Sequence, residues 1–146
     1  DQTVNFYNRT FGFNMPAPGK AAPPPDSMIK LFNDKSLKTV RMARGTFPGA
    51  GSEIRFQEFT GPNQHPVRHR VQDPGGPIMP MTVQDFPGVI AAAKANGGTI
   101  GVGETSIALP ADARSSWVRD PNGMLFQVSM PRPPAPPSPP STPRVQ

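Results

Sequence analysis

The two halves of the sequence rhyme, and a repeat limits the possible folds more than any local propensity does. Residues 1–12 and 85–97 both read as helices of about three turns, opened by an aspartate and closed by a glycine. In the first, Val4, Tyr7 and Phe11 recur at helical spacing. In the second, Phe86, Val89, Ile90 and Ala93 form the apolar stripe, and Pro87 falls in the first turn, where a missing N–H is harmless. Strands follow each helix, and each half closes on an apolar strand, residues 54–60 and 124–129. The second half also has a strand before its helix, residues 77–83, with Pro80 marking an edge or a bulge. The first half has no counterpart upstream of Asp1. The order is (strand)–helix–strand–strand–strand, twice.

The closing hairpin, residues 116–128, turns on Asp120-Pro121-Asn122-Gly123. Pro121 presets φ for the second turn position, Asn122 tolerates the bridge or left-handed region, and Gly123 accepts positive φ. Trp117 and Val118 on one arm, with Leu125, Phe126 and Val128 on the other, supply apolar surface to bury.

Between these landmarks the signals are weaker. Five prolines make residues 14–26 a loop. Residues 27–32 read as a short strand and 37–47 as a loosely alternating one. Residues 52–60 alternate better, with Ile54, Phe56 and Glu58 on one face and Arg55, Gln57 and Phe59 on the other. Residues 61–76 are an irregular connector, 99–102 a short strand and 105–109 a further candidate. From 132 onward the chain is low in complexity and rich in proline, which predicts a disordered or polyproline-II tail.

Composition excludes several classes. There is no cysteine, hence no disulfide and no thiolate metal site. No apolar run approaches the roughly 20 residues of a membrane helix, and no signal segment is visible; a cytoplasmic protein is the default. The net charge is +5, but the basic residues are scattered without a nucleic-acid motif. His65 and His69 have metal-like spacing, yet Pro66 denies them a helical face, so they read as loop residues. The glycines between 97 and 103 follow a helix and enter a strand, the reverse of a phosphate cradle.

At three places, in order, the sequence resembles the vicinal oxygen chelate superfamily, which includes glyoxalase I, bleomycin-resistance proteins, fosfomycin-resistance enzymes and extradiol dioxygenases. Asn5-Phe6-Tyr7 leading to Phe11-Gly12-Phe13 is similar to the family's opening helix. Val83-Gln84-Asp85-Phe86 leading to Gly97-Gly98 resembles the start of its second module, and Arg119-Asp120-Pro121-Asn122-Gly123 its closing hairpin. The resemblance implies an α+β fold of tandem βαβββ modules whose strands curl into a mixed-sheet cup. The first module would span 1–62 and lack its first strand, with a connector at 63–76, a second module at 77–130 and the tail at 131–146.

The resemblance also implies a site. Metal-dependent members hold a divalent ion, such as zinc, nickel, iron or manganese, with one ligand from the first and last strand of each module. Here the last-strand positions fall on Glu58 and Gln127. Ile78 stands where a histidine is expected, and the remaining position lies on the absent strand. Glu58 is thus the candidate metal ligand or general base, Gln127 a weaker ligand, and Phe56, Trp117 and Gln127 the candidate small-molecule contacts. Glu58 has a plainer reading as an ion pair with Arg41 or Arg55.

Two functions stay open. One is a metal-dependent lyase, isomerase or dioxygenase. The other is a metal-free protein that sequesters a small ligand, as bleomycin-resistance proteins do. A homodimer is the implied assembly, and the open edge left by the absent strand calls either for a longer chain or for a partner's strand. A third reading makes the proline-rich tail a ligand for another protein.

Overall fold

The computed structural model describes residues 1–49, 51–61, 69–74, 76–103 and 106–131. The first helix, α1 (Gln2–Phe11), ends where Gly12 takes φ 72° and sends its N–H back to the Asn8 carbonyl at 3.2 Å. Asp1 stands at its N-cap position, but its carboxylate makes no capping bond; it faces Arg41 at 3.3 Å instead.

The expected strand at 27–32 is a helix, α2 (Asp26–Phe32). The apolar residues Met28, Ile29, Leu31 and Phe32 follow helical rather than alternating spacing. Pro25 fixes the entry, Asp26 sits at the positive end of the helix dipole, and Asn33 ends it at φ 50°. The proline loop before it is not wholly irregular. Ala22 bridges Val40, with N–H to carbonyl distances of 3.0 and 2.8 Å.

Next come the antiparallel strands β1 (Thr39–Thr46) and β2 (Glu53–Thr60). The second sheet consists of β3 (Ile78–Thr82), β4 (Thr99–Ile100), β5 (Ser115–Arg119) and β6 (Leu125–Ser129), in the spatial order β3-β6-β5-β4. β3 runs parallel to β6, and the other pairs are antiparallel. Pro80 lies on edge strand β3, where a missing donor is tolerated. Residues 106–110 form no strand; Ile107 only donates to the Ile100 carbonyl. The architecture is α+β with mixed pairing, as expected. The tail from 132 onward and His65 lie outside the described residues.

Helix α3 (Phe86–Ala95) is capped by Asp85, which accepts from the Gly88 N–H at 2.9 Å. It ends at Gly97 and Gly98. A Cβ on Gly98 would fall 2.8 Å from the Phe6 ring and 3.0 Å from the Arg119 carbonyl, so only glycine lets α3, α1 and β5 close up there. Among the described residues no helix is long and apolar enough to cross a membrane.

The core gathers Phe6, Tyr7 and Phe11 of α1, Phe86 and Ile90 of α3, and Val118, Phe126 and Val128 of the second sheet. Tyr7 lies at its centre. Its ring is 4.5 Å from Phe56 of β2 and 5.6 Å from Phe126 of β6, centroid to centroid, so one side chain joins both sheets to α1. Its hydroxyl donates to Asp120 Oδ2 at 3.1 Å. Asp120 Oδ1 accepts from the Asn122 and Met124 N–H groups at 2.9 and 2.8 Å, and Gly123 completes the turn at φ 98°.

Burial raises the pKa of Asp120, outweighing the hydrogen bonds it accepts from Met124, Tyr7 and Asn122. Burial likewise pushes the Tyr7 phenol far up, so it remains a donor. A carboxyl whose folded pKa lies above its unfolded value, about 3.9, contributes stability in full below that value. The contribution is lost as pH rises through the folded pKa.

Asp120→Asn keeps an oxygen for the two N–H groups and removes this titration. Its stability is expected to stay within about 1 kcal/mol of wild type at pH 7, whereas Asp120→Ala orphans three donors and loses about 1–3 kcal/mol or more. Urea denaturation of both variants at pH 4 and pH 7 checks this. An Asn variant as weak as the Ala variant would mean that the negative charge itself holds the turn.

Candidate functional site

Strand alternation, anchored by Tyr7, decides which side chains can share a site. Phe56 packs on Tyr7, and Glu58, two residues on, therefore lies on the same helix side of β2. On β6, Phe126 packs on Tyr7 and Phe11, so Phe126 and Val128 form the helix side. Gln127 lies between them and faces away, opposite Trp117 of β5. Glu58 and Gln127 thus occupy opposite sides of the structure and are not brought together. On β2, Gln57 is the residue that shares the far side with Gln127. The clue was in the sequence, because Phe56-Gln57 and Phe126-Gln127 are the same dipeptide at the same place in each half.

Glu58 is half-exposed and engaged. Its carboxylate accepts from Arg41 Nε at 2.7 Å, directly across the β1–β2 pair, and Arg41 Nη1 reaches Asp1. These groups line a cavity of about 500 Å³ at the start of α1 and along the open edge of β2, where Phe56, Gln57, Glu58 and Phe59 all border it, with Thr3 and Asn122. Of the anticipated contacts, Phe56 therefore borders the same cavity as Glu58, while Trp117 and Gln127 lie across the sheet.

The far side is walled at both ends. At one end α2 covers β2 through Phe32 on Phe59, 5.4 Å between ring centroids. At the other, Arg119 is buried beneath the connector and the loop after β4. It donates to the carbonyls of Gly123, His69 and Val102 at 2.8, 3.0 and 3.1 Å. His69 is not a surface loop residue: it is buried against Gly76, and its Nε2 has no hydrogen-bond partner among the described residues. Alternation turns Met42 and Gln57 of the first sheet, and Pro80, Gln127 and Trp117 of the second, away from the helices, with Pro80 and Trp117 flanking Gln127 in register.

Among the described residues, no group of three or more His, Cys, Asp or Glu side chains is placed to hold a metal. The far side offers two neutral amides beside the hydrocarbon of Ile78 and Pro80. Neutral amide oxygens are weaker ligands for a divalent ion than carboxylates or imidazoles.

No protein-family model matches the sequence, and neither does any curated protein. Solved structures do match. A glyoxalase family protein from Bacillus cereus is 19% identical, covers 89% of this chain and 85% of its own, and gives a TM-score of 0.68. A glyoxylase/bleomycin resistance protein/dioxygenase domain from Frankia sp. EAN1pec is 15% identical, with 90% and 88% covered and a TM-score of 0.56. The chain has the vicinal oxygen chelate fold. A variant of the fosfomycin resistance protein FosX from Listeria monocytogenes, complexed with manganese(II) and 1S,2S-dihydroxypropylphosphonic acid, matches at 14% identity. It covers 88% of this chain and 80% of its own, with a TM-score of 0.51. The likeness to these structures concerns the backbone, and a shared fold does not carry over the side chains that do chemistry.

For Glu58 the argument gives an ordinary partly exposed ion pair. Glu58→Gln is expected to change stability by less than about 1 kcal/mol. Thermal and urea unfolding at low and moderate salt would show it; a loss of several kcal/mol would place Glu58 in a network tighter than its exposure allows.

Proposed function

We propose that this chain is a small-molecule-binding domain of the vicinal-oxygen-chelate type, made of modules at 1–62 and 77–130, that holds its ligand without a bound metal. The ligand lies on the far side of the sheets, between α2 and the connector. The observation that carries this reading is that Gln57 and Gln127 share that side and present neutral amides. Amides donate and accept hydrogen bonds, so they recognise carbonyl, hydroxyl or amide groups of a ligand. Trp117, beside Gln127, supplies a flat apolar surface for stacking. Burial between walls and a few fixed polar groups is the ordinary make-up of a small-molecule site.

The rival reading is a metal-dependent lyase, isomerase or dioxygenase working through Glu58. It draws on the FosX complex with manganese(II). The pairing of Glu58 with Arg41 on the helix side speaks against it. A further element of our reading concerns the cavity beside β2 and α1. In the second half β3 occupies the matching place next to β6. We read the cavity as the seat of a strand, supplied either by a longer chain or by the partner in a homodimer, and sedimentation at micromolar concentration tests the second: a stable monomer with an intact fold would refute it.

Trp117 is the only tryptophan, so its fluorescence reports directly on the site. A small-molecule screen read by Trp117 emission is expected to yield ligands whose affinity falls about tenfold or more in Gln127→Ala and Gln57→Ala, with Glu58→Ala unaffected. After dialysis against zinc, nickel, iron and manganese, wild type is expected to retain no stoichiometric metal. The combined variant Ile78→His, Gln57→Glu, Gln127→Glu is expected to retain one. Metal retained by wild type and lost in Glu58→Ala would sink the metal-free reading.

A further inference from the structure

The β1–β2 pair contains an unfavourable contact. Arg44 and Arg55 are direct cross-strand partners, both exposed, and alternation puts them on the far side with Met42 and Gln57. Like charges placed directly opposite each other destabilise a sheet. Glu53, on the same face of β2, pairs with Arg55, and its carboxyl is held low by Arg55 and also by the nearby charge of Arg44, so one carboxylate serves two cations. Arg44 has no carboxylate within ion-pair distance among the described residues. The other arginines nearby are engaged differently. Arg41 is held by Asp1 and Glu58 on the helix side, and Arg119 is buried under three carbonyls.

We propose that Arg44 and Arg55 form an anion-binding subsite on the ligand face, so that the ligand carries a carboxylate or phosphate-like group. The proposal rests on the far-side ligand reading above and adds a substrate class to it. Two arginines at directly opposed positions of a strand pair can reach the oxygens of one anion, and the planar guanidinium suits carboxylate and phosphate oxygens better than an ammonium does. Binding an anion there turns repulsion between the two cations into shared attraction. Gln57 lies two residues from Arg55 on the same face, about 7 Å along the strand. A ligand anchored by its anionic end at the arginine pair therefore extends its neutral part toward Gln57.

The test uses orthophosphate as probe, against chloride at constant ionic strength, with thermal unfolding as readout, because a ligand that binds only the folded state raises the melting temperature. Wild type is expected to gain stability saturably with phosphate. Arg44→Gln is expected to melt higher than wild type without phosphate, since the repulsion is gone, and to bind phosphate about tenfold more weakly or not at all. Arg55→Gln loses the phosphate response as well, and Arg9→Gln, an exposed arginine on α1, retains it. No response in wild type, or an equal response in Arg44→Gln, overturns the proposal. Its failure is distinguishable from failure of the far-side reading. Ligands that quench Trp117 and depend on Gln57 and Gln127, but are indifferent to Arg44→Gln, would remove the anionic subsite and leave the neutral site standing.

Discussion

The side chain of Tyr7 is the contact on which the rest of the structure depends. Its ring touches Phe6, Phe11, Phe13, Phe56 and Phe126, and its hydroxyl is tied to Asp120. One residue of α1 thereby fixes the positions of the β1–β2 pair, the four-stranded sheet and the closing turn. Aromatic clusters of this kind combine large buried area with directional edge-to-face geometry. The Asp120 carboxyl adds a constraint that packing cannot supply. It accepts from the turn's own N–H groups through one oxygen and from Tyr7 through the other, which ties the turn to α1.

The same contact explains why the assignment of sides is secure. A strand has period two, and a shift of one residue moves every side chain to the opposite face. Counting residues from Asp120 selects Gln127, which faces away from the helices, whereas matching a glutamate by its identity selects Glu58, one residue out of phase with it. Because Phe56 and Phe126 both rest on Tyr7, Gln57 and Gln127 must both point away from it. The chemistry available on that side changes accordingly, from a carboxylate to an amide.

Much of this architecture was legible in the sequence. Both long helices, the closing hairpin and the edge position of Pro80 follow from periodicity and turn chemistry, and the family resemblance rests on three short motifs in order. The short helix α2 was not legible, although its four apolar residues follow helical spacing, because seven residues are too few for periodicity to decide until Pro25 and Asn33 are weighed as boundaries. The burial of Arg119 and His69 was also out of reach. Arg119 reads as a polar residue ending a strand, and only the tertiary approach of the connector and the loop after β4 turns it into a clamp on three carbonyls. The sequence carries no local signal for a contact made across fifty residues.

The division of labour between the two sides of the sheets bears on how such a fold changes function. The helix side is filled by α1, α3 and the aromatic cluster, where exchanging a side chain opens a cavity or strains the packing, at a cost of several kcal/mol. The far side holds residues that the core does not need. Gln57 and Gln127 are exposed, and Arg44 and Arg55 are tolerated although they repel. A residue that weakens the sheet and contributes nothing to the core is hard to account for by stability alone. It is readily accounted for if something outside the chain completes its interactions. The unfavourable arginine pair and the two exposed amides therefore lie on the same face, the one leaving repulsion in the sheet and the other turning hydrogen-bonding groups outward.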